Sequence, residues 1–502
     1  MIFRNTLALM GSLVLASCAF WSQPTQPNRQ IQNINSSLEK FTANPVEWAD
    51  DLIVTQLGGN IESYCKLDVP QLTQMLSLVD FDSLNKQVVE TSGAEFLKKS
   101  FLVKRAFNAN LPLVSKECRQ VLVPFFRELR QVEDYIGELA YKEKDRNASD
   151  IDFTKVPVPI LDEKSYSPYQ TVPEYRNQKG FAFEAGDVVL TRGISFSSAT
   201  ISQSTDDRTH FSHGVFIHKE TGKDKLQSIE SYLQTGTRYY SIEDAMKNEN
   251  VRIAVFRPRD RTLGQKASDM MAKKLNDANQ AGTGIPYDYA MDLKEYSKMT
   301  CAEIIIASYD WASNGTLLIP EQTSNVRITS PYFLKKINVK PGKTFSPVNM
   351  EIDSRFEFVM EWRDYSIVRD QRQKDMIAKK VIDWIENEKY LLKGTLTTFG
   401  IKAAWSMRKV PFIWNIISKP LKLDNIQKDM PAEFLVTVAQ LRDVGQILLN
   451  VTKKADDAHK KKFGYPMSEK KLQAFLEEFR LKDKARFEKY GRASFHHLLR
   501  AN

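Results

Sequence analysis

Thr300-Cys301-Ala302-Glu303-Ile304-Ile305-Ile306-Ala307-Ser308-Tyr309-Asp310-Trp311 decides how the middle of this chain is read. By composition the isoleucine run suits a strand. It is read here as a buried helix that starts near Cys301, with Thr300 as its N-cap. A thiol at that position meets the positive end of the helix and amide donors without partners, which lower its pKa and raise its thiolate fraction. Glu303 in the same turn is read as a residue favoured by the helix dipole, not as a second acid.

Working outward, the residues ahead of this helix form short β-prone runs. Asp187-Val188-Val189-Leu190, His213 to Ile217, Leu226 to Glu230 and Val251 to Phe256 are separated by Gly, Asp, Asn and Ser clusters. They define a block over 181–345. Before it, 38–148 carries helical periodicity, with Val114, Cys118, Val121, Phe125, Leu129, Val132, Ile136 and Leu139 at steps of three and four. That spacing predicts one long amphipathic helix, kinked at Pro124. Pro157, Pro159, Pro168 and Pro173 interrupt the pattern, so 149–180 is expected to be a linker. Helices return from Arg355 within a C-terminal block over 346–502, with Ile377, Val381, Trp384 and Ile385 on one face and Leu472, Phe475, Leu476 and Phe479 on another. The predicted class is α+β.

A chain of 502 residues exceeds one compact core, and 42% hydrophobic with 26% charged residues is a globular composition. The net charge of +9 would suit nucleic acid or an anionic membrane. The N-terminus chooses between them. Arg4, the apolar stretch Leu7 to Leu15 and then Leu15-Ala16-Ser17-Cys18 resemble a bacterial lipoprotein signal over 1–17 with its lipobox. The resemblance implies that Cys18 is lipidated and that 18–37 is a tether. It also implies attachment to the periplasmic side of the outer membrane, since Ala19 follows the cysteine. Nucleic acid is not an expected partner. Of the other cysteines, Cys65 and Cys118 fall in one helical block and can pair, leaving Cys301 as an odd thiol. The alternative is three buried, inert cysteines.

The chemistry falls in the middle block. An imidazole can take a thiol proton, and a carboxylate can orient that imidazole; His213 and Glu230 lie on separate β-prone runs that one sheet could make adjacent. His210 and His213 form H-x-x-H, but residues three apart on a strand point to opposite faces, so no metal site is expected. His218 is read as a surface residue. The series Gly186-Asp187-Val188-Val189-Leu190, Phe211-Ser212-His213-Gly214, Ile229-Glu230, Tyr287-Asp288 and Cys301-Ala302-Glu303 resembles the permuted papain-like hydrolases of the NlpC/P60 superfamily, nearest the YiiX/YebB-type branch. The resemblance covers roughly 160 residues and leaves both helical blocks unexplained. It implies Cys301 as nucleophile, His213 as general base and Glu230 as orienting group. Departures are Gly214-Val215 after the histidine, where a small apolar residue and then glycine is commoner, and Ala302 where serine is common.

Together these features lead to an expected cell-envelope cysteine hydrolase. It would cleave an amide or ester bond through a thioester, without a cofactor, on peptidoglycan peptides or on lipid or acyl substrates. A lipid-anchored scaffold or binding module that keeps the fold without turnover is the alternative. From residue 351 onward 30 Lys and Arg face 21 Asp and Glu, the whole excess of the chain. Between Lys393 and Lys422 the basic residues, Lys402, Arg408 and Lys409 among them, occur with aromatic and aliphatic neighbours and no acid. Such a stretch fits an anionic membrane surface; a packed helix pair with solvated lysines is the other reading.

Overall fold

The computed structural model describes residues 27–501 apart from 57–60, 80, 141–168, 172–175, 178–179, 224, 247–249, 292–294, 411, 413, 415–425 and 428. The signal over 1–17 and Cys18 lie outside the described residues, as do 18–26 of the expected tether and 149–168 of the expected linker.

Helices α1 (Pro27–Ala43), α2 (Pro45–Gln56), α3 (Ile61–Leu67), α4 (Val69–Leu78), α5 (Lys86–Asn110) and α6 (Lys116–Ala140) open the described chain. Residues 27–37 are thus the start of a helix and not tether, and Ile34 is buried in the same apolar cluster as Phe41 and Phe96. The three- and four-residue spacing appears in α6, which buries Cys118, Leu122, Phe125, Leu129, Val132 and Ile136 and contains Pro124. Val114 lies ahead of it, after a short 3₁₀ turn. Cys65 on α3 and Cys118 on α6 are both buried and form a disulfide, with Cα atoms 5.3 Å apart.

Next come β1 (Tyr169–Thr171), the ribbon strands β2 (Arg176–Asn177) and β3 (Gly180–Phe181), β4 (Val188–Gly193), α7 (Phe196–Ser202), β5 (His213–Lys219), β6 (Leu226–Tyr232), β7 (Gly236–Tyr240), α8 (Ile242–Ala245), β8 (Asn250–Pro258), α9 (Arg261–Gln280) and α10 (Cys301–Ala312). Then follow β9 (Ser324–Asn325), α11 (Pro331–Ile337), β10 (Lys343–Thr344), α12 (Val348–Glu351), β11 (Phe356–Arg363) and α13 (Val368–Asn387). The chain closes with β12 (Leu391–Leu392), α14 (Leu396–Ser406), α15 (Ala432–Phe463), α16 (Glu469–Tyr490) and β13 (Leu499–Arg500).

A seven-stranded antiparallel sheet runs in the order β1-β11-β8-β4-β5-β6-β7. Alternation along its strands sends side chains to opposite faces. Val188, Leu190, Phe216, Ile229 and Phe256 meet Met271 and Leu275 of α9 and Ile304 and Ile305 of α10. Val189, Val215, Ile217, Ile253 and Val255 meet Ile242, Met246 and Trp362 on the other side. Both faces are covered, which is why the central strands read as nearly continuous apolar runs.

Two expectations about this sheet need correction. Residues 356–363, placed in the helical C-terminal block, are β11, and residues 169–171 of the linker pair with it at the sheet edge. His218 is buried, not at the surface, because α9 covers its face; its Nδ1 lies 2.8 Å from Ser268 Oγ.

The N-terminal helices dock on β11 and β8 through buried charges. Lys104 of α5 reaches Glu133 of α6 at 2.8 Å and also Glu361 of β11. Arg252 of β8 grips Asp134 with contacts of 2.6 and 2.8 Å, and Arg363 pairs with Glu133, Asp134 and Glu361. On the far side, α13, α15 and α16 bury Ile377, Val381, Trp384, Leu448, Leu472 and Leu476 around Phe495, so the two apolar faces expected there do form core.

Candidate active site

The helix start is built as its sequence suggests. Thr300 Oγ1 accepts the Glu303 amide at 3.2 Å, and the Glu303 carboxylate accepts the Thr300 amide at 2.7 Å, a reciprocal capping box. Glu303 is therefore a capping residue, buried in the helix end. Cys301, the first residue of α10, is a free, partly exposed thiol.

His213 opens β5 and Glu230 sits on β6, the neighbouring strand. His213 Nε2 lies 2.9 Å from Glu230 Oε2, and the imidazole acts electrostatically on the Cys301 thiol. With Nε2 committed to the carboxylate, Nδ1 is the nitrogen left for sulfur. Glycine at 214 lets helix and strand approach, because a Cβ there would come within 2.8 Å of Ile305 Cδ1. The departure at Gly214-Val215 is thus accommodated: Val215 turns to the opposite face, and the glycine lies under α10.

Two residues of this cluster escape sequence reasoning. Tyr232 donates to Glu230 Oε2 at 2.7 Å and stacks on His213 with ring centroids 4.7 Å apart, while Ser228 donates to Glu230 Oε1 at 2.7 Å. The signal was present as alternation: Ser228, Glu230 and Tyr232 share one face of β6. Glu230 has three donors and no exposure.

Burial alone would push the Cys301 thiol up. The His213 charge and hydrogen bond, together with the backbone amides of Gly214 and Ala302, override it and hold the thiol below its ordinary value. Burial would likewise lower His213, yet the facing sulfur and Glu230 hold it up to about 10. Glu230 is kept below the usual carboxylate range, burial being outweighed by His213, Tyr232 and Ser228. These opposed shifts each favour the charged form of the group, the thiolate on Cys301 and the imidazolium on His213.

Cys301 lies in the wall of a cavity of about 290 Å³ whose other walls are mostly apolar. Phe196 of α7, Phe333 of α11, Phe345, and Phe434 and Leu441 of α15 line it, and Tyr287 of the Tyr287-Asp288 pair closes one side. Phe196 and Leu441 stand 245 residues apart in the sequence, a proximity that no local pattern reveals.

Other sequence candidates lie elsewhere. His210 precedes β5 and accepts Arg130 Nε at Nδ1, 3.4 Å away. Lys402 is paired with Glu433 of α15, so the acid missing from the local sequence is supplied from 31 residues away. Arg408 lies over the Trp405 ring at 4.8 Å, and Lys409 is exposed. Leu396, Phe399 and Phe412 nearby are 92%, 72% and 77% exposed, while Lys419 and Lys422 lie outside the described residues. Among the described residues no helix is long and apolar enough to cross a membrane. Comparison of the chain with protein-family models, with curated proteins and with solved structures found no match to any of them.

Proposed function

We propose that the protein is a cysteine hydrolase of acyl esters or amides in the cell envelope, with Cys301 as nucleophile, His213 as general acid and base, and Glu230 as the group that orients the imidazole. The observation that carries this reading is a thiol held low by an imidazole–carboxylate pair in the wall of an apolar cavity. The order of elements also supports the permuted papain-like reading: His213 on a strand, Glu230 on the next, and Cys301 on a later helix.

The Cys301 thiolate adds to the acyl carbonyl carbon, forming a C–S bond and a tetrahedral oxyanion near the N-terminal amides of α10. Collapse breaks the bond to the leaving oxygen or nitrogen, which takes the proton from His213 Nδ1. Water then attacks the thioester, giving its proton back to His213, and the acid departs as the thiolate–imidazolium pair returns. Between the two substrate classes the cavity favours an acyl chain, because apolar walls stabilise methylene groups by about 0.8 kcal/mol each. A stem peptide would bring several carboxylates and amines, and Arg442 is the one charged side chain among the described walls to meet them.

Attachment to the outer membrane through Cys18 belongs to the same proposal, with Arg408, Lys409 and the exposed Leu396, Phe399 and Phe412 facing anionic headgroups. The substrate assignment is tested with p-nitrophenyl esters of increasing chain length beside purified muropeptides. Turnover is expected to rise with chain length, with an acyl adduct on Cys301 by intact mass. Cleavage of muropeptides alone contradicts it. Salt-sensitive co-sedimentation of lipid-free protein with phosphatidylglycerol vesicles, weakened by Arg408→Gln with Lys409→Gln, is expected of the basic patch; equal binding to neutral vesicles contradicts it.

A further inference from the structure

A second cavity, of about 340 Å³, lies where α6, the segment before β5, α13 and the start of α16 come together. Its lining is mostly polar and charged side chains, and among the described residues one arginine there has no ion-paired carboxylate. Arg208 Nε is sealed from solvent without a partner, and no carboxylate among the described residues lies within ion-pair distance of its guanidinium. The carboxylates that line the cavity are already engaged. Glu128 accepts from Arg127 at 2.9 Å, Asp134 from Arg252 at 2.6 Å, Glu469 from Lys379 at 2.9 Å, and Asp375 pairs with Arg192.

A mostly buried cation without an ion-paired partner is costly, and here burial, Arg127 and Arg327 act against its charge, with Asp383 and Glu469 offsetting them only in part from a distance. Its backbone is held at a φ of 48°, a left-handed conformation uncommon for a residue with a long side chain. Both costs point the same way, toward a group that meets the guanidinium from inside the cavity. His210 also lines that space. Since its Nδ1 accepts from Arg130, its Nε2 carries the hydrogen and is a second donor.

We infer that this cavity binds a small oxyanion, a phosphate or carboxylate group, with Arg208 as the principal donor and His210 as the second. Guanidinium forks match the paired oxygens of such groups. The site stands apart from the thiol chemistry and does not depend on it.

The test follows the melting temperature of the protein as inorganic phosphate, and separately succinate, replaces chloride at constant ionic strength. A saturable rise of a few degrees is expected with one of the two anions, and which one answers names the group. Arg208→Gly removes the guanidinium while suiting the left-handed backbone, so it is expected to fold, to keep the wild-type rate of Cys301 alkylation and to lose the rise. Arg208→Lys is expected to retain a weaker one. A rise that never saturates, no rise with either anion, or an equal rise in Arg208→Gly overturns the inference.

Discussion

Two buried charge assemblies in this molecule are built on the same sheet and behave differently. Lys104, Arg252 and Arg363 face Glu133, Asp134 and Glu361 between the N-terminal helices and β8–β11, sealed on every side. Cys301, His213 and Glu230 form a shorter series in which the carboxylate is sealed and the sulfur borders a cavity. Burial demands a partner for each charge in both. Where every charge is met by others, the result is a fixed docking geometry. Where one end is left open, the same balance holds a thiol below its ordinary value in the wall of a cavity.

The comparison breaks most visibly at its open end. Cys301→Ala is expected to lower acyl-ester turnover by about 10⁴-fold or more while leaving the unfolding midpoint nearly unchanged, as kinetics and urea titration would show. At the sealed end the outcome inverts. Arg363→Met strips Glu133, Asp134 and Glu361 of a shared cation and is expected to cost about 3–5 kcal/mol, with wild-type alkylation of Cys301 in the folded protein. Wild-type stability in that variant would show that the network is not what holds the N-terminal helices to the sheet.

Smaller effects sharpen the contrast. Reducing the Cys65–Cys118 bridge, which spans 53 residues, is expected to remove roughly 3–4 kcal/mol without slowing a thiol enzyme. Calorimetry with and without reductant, beside an activity assay, reads both. Glu230→Gln is expected to be the mildest, a loss of about 10²-fold in turnover, because an amide oxygen still accepts from His213. A loss as deep as that of Cys301→Ala would mean that the carboxylate charge, and not its orienting bond, sustains the imidazolium.

The sequence carried much of this site because its signals are local. Thr300 ahead of Cys301 with Glu303 three residues on announces a capped helix start, and the apolar runs around Val189, Val215 and Val255 announce strands by alternation. β11 was lost for the opposite reason. Glu357 and Glu361 stand four apart like residues of a solvated helix face, and what makes Glu361 compatible with a buried strand is Lys104, 257 residues away. The pairing of β1 with β11 and the acid partner of Lys402 are nonlocal in the same way. The cavity beside Cys301 is the extreme case, since four helices and several loops each give it one to three apolar side chains that look like ordinary core.

The central claim is that His213 holds Cys301 as a thiolate at neutral pH. Its most direct measurement is the rate of Cys301 alkylation by iodoacetamide against pH, in the wild type and in His213→Ala. The Cys301 thiol is held low and His213 is held up to about 10, so the pair stays charged as pH falls from the alkaline range. The wild-type rate is therefore expected to stay nearly flat from about pH 9 to about pH 6, whereas His213→Ala loses reactivity through the ordinary thiol range near about 8.5. A wild-type profile that falls through that same range and overlays His213→Ala would contradict the account and leave a folded binding module with an unactivated thiol.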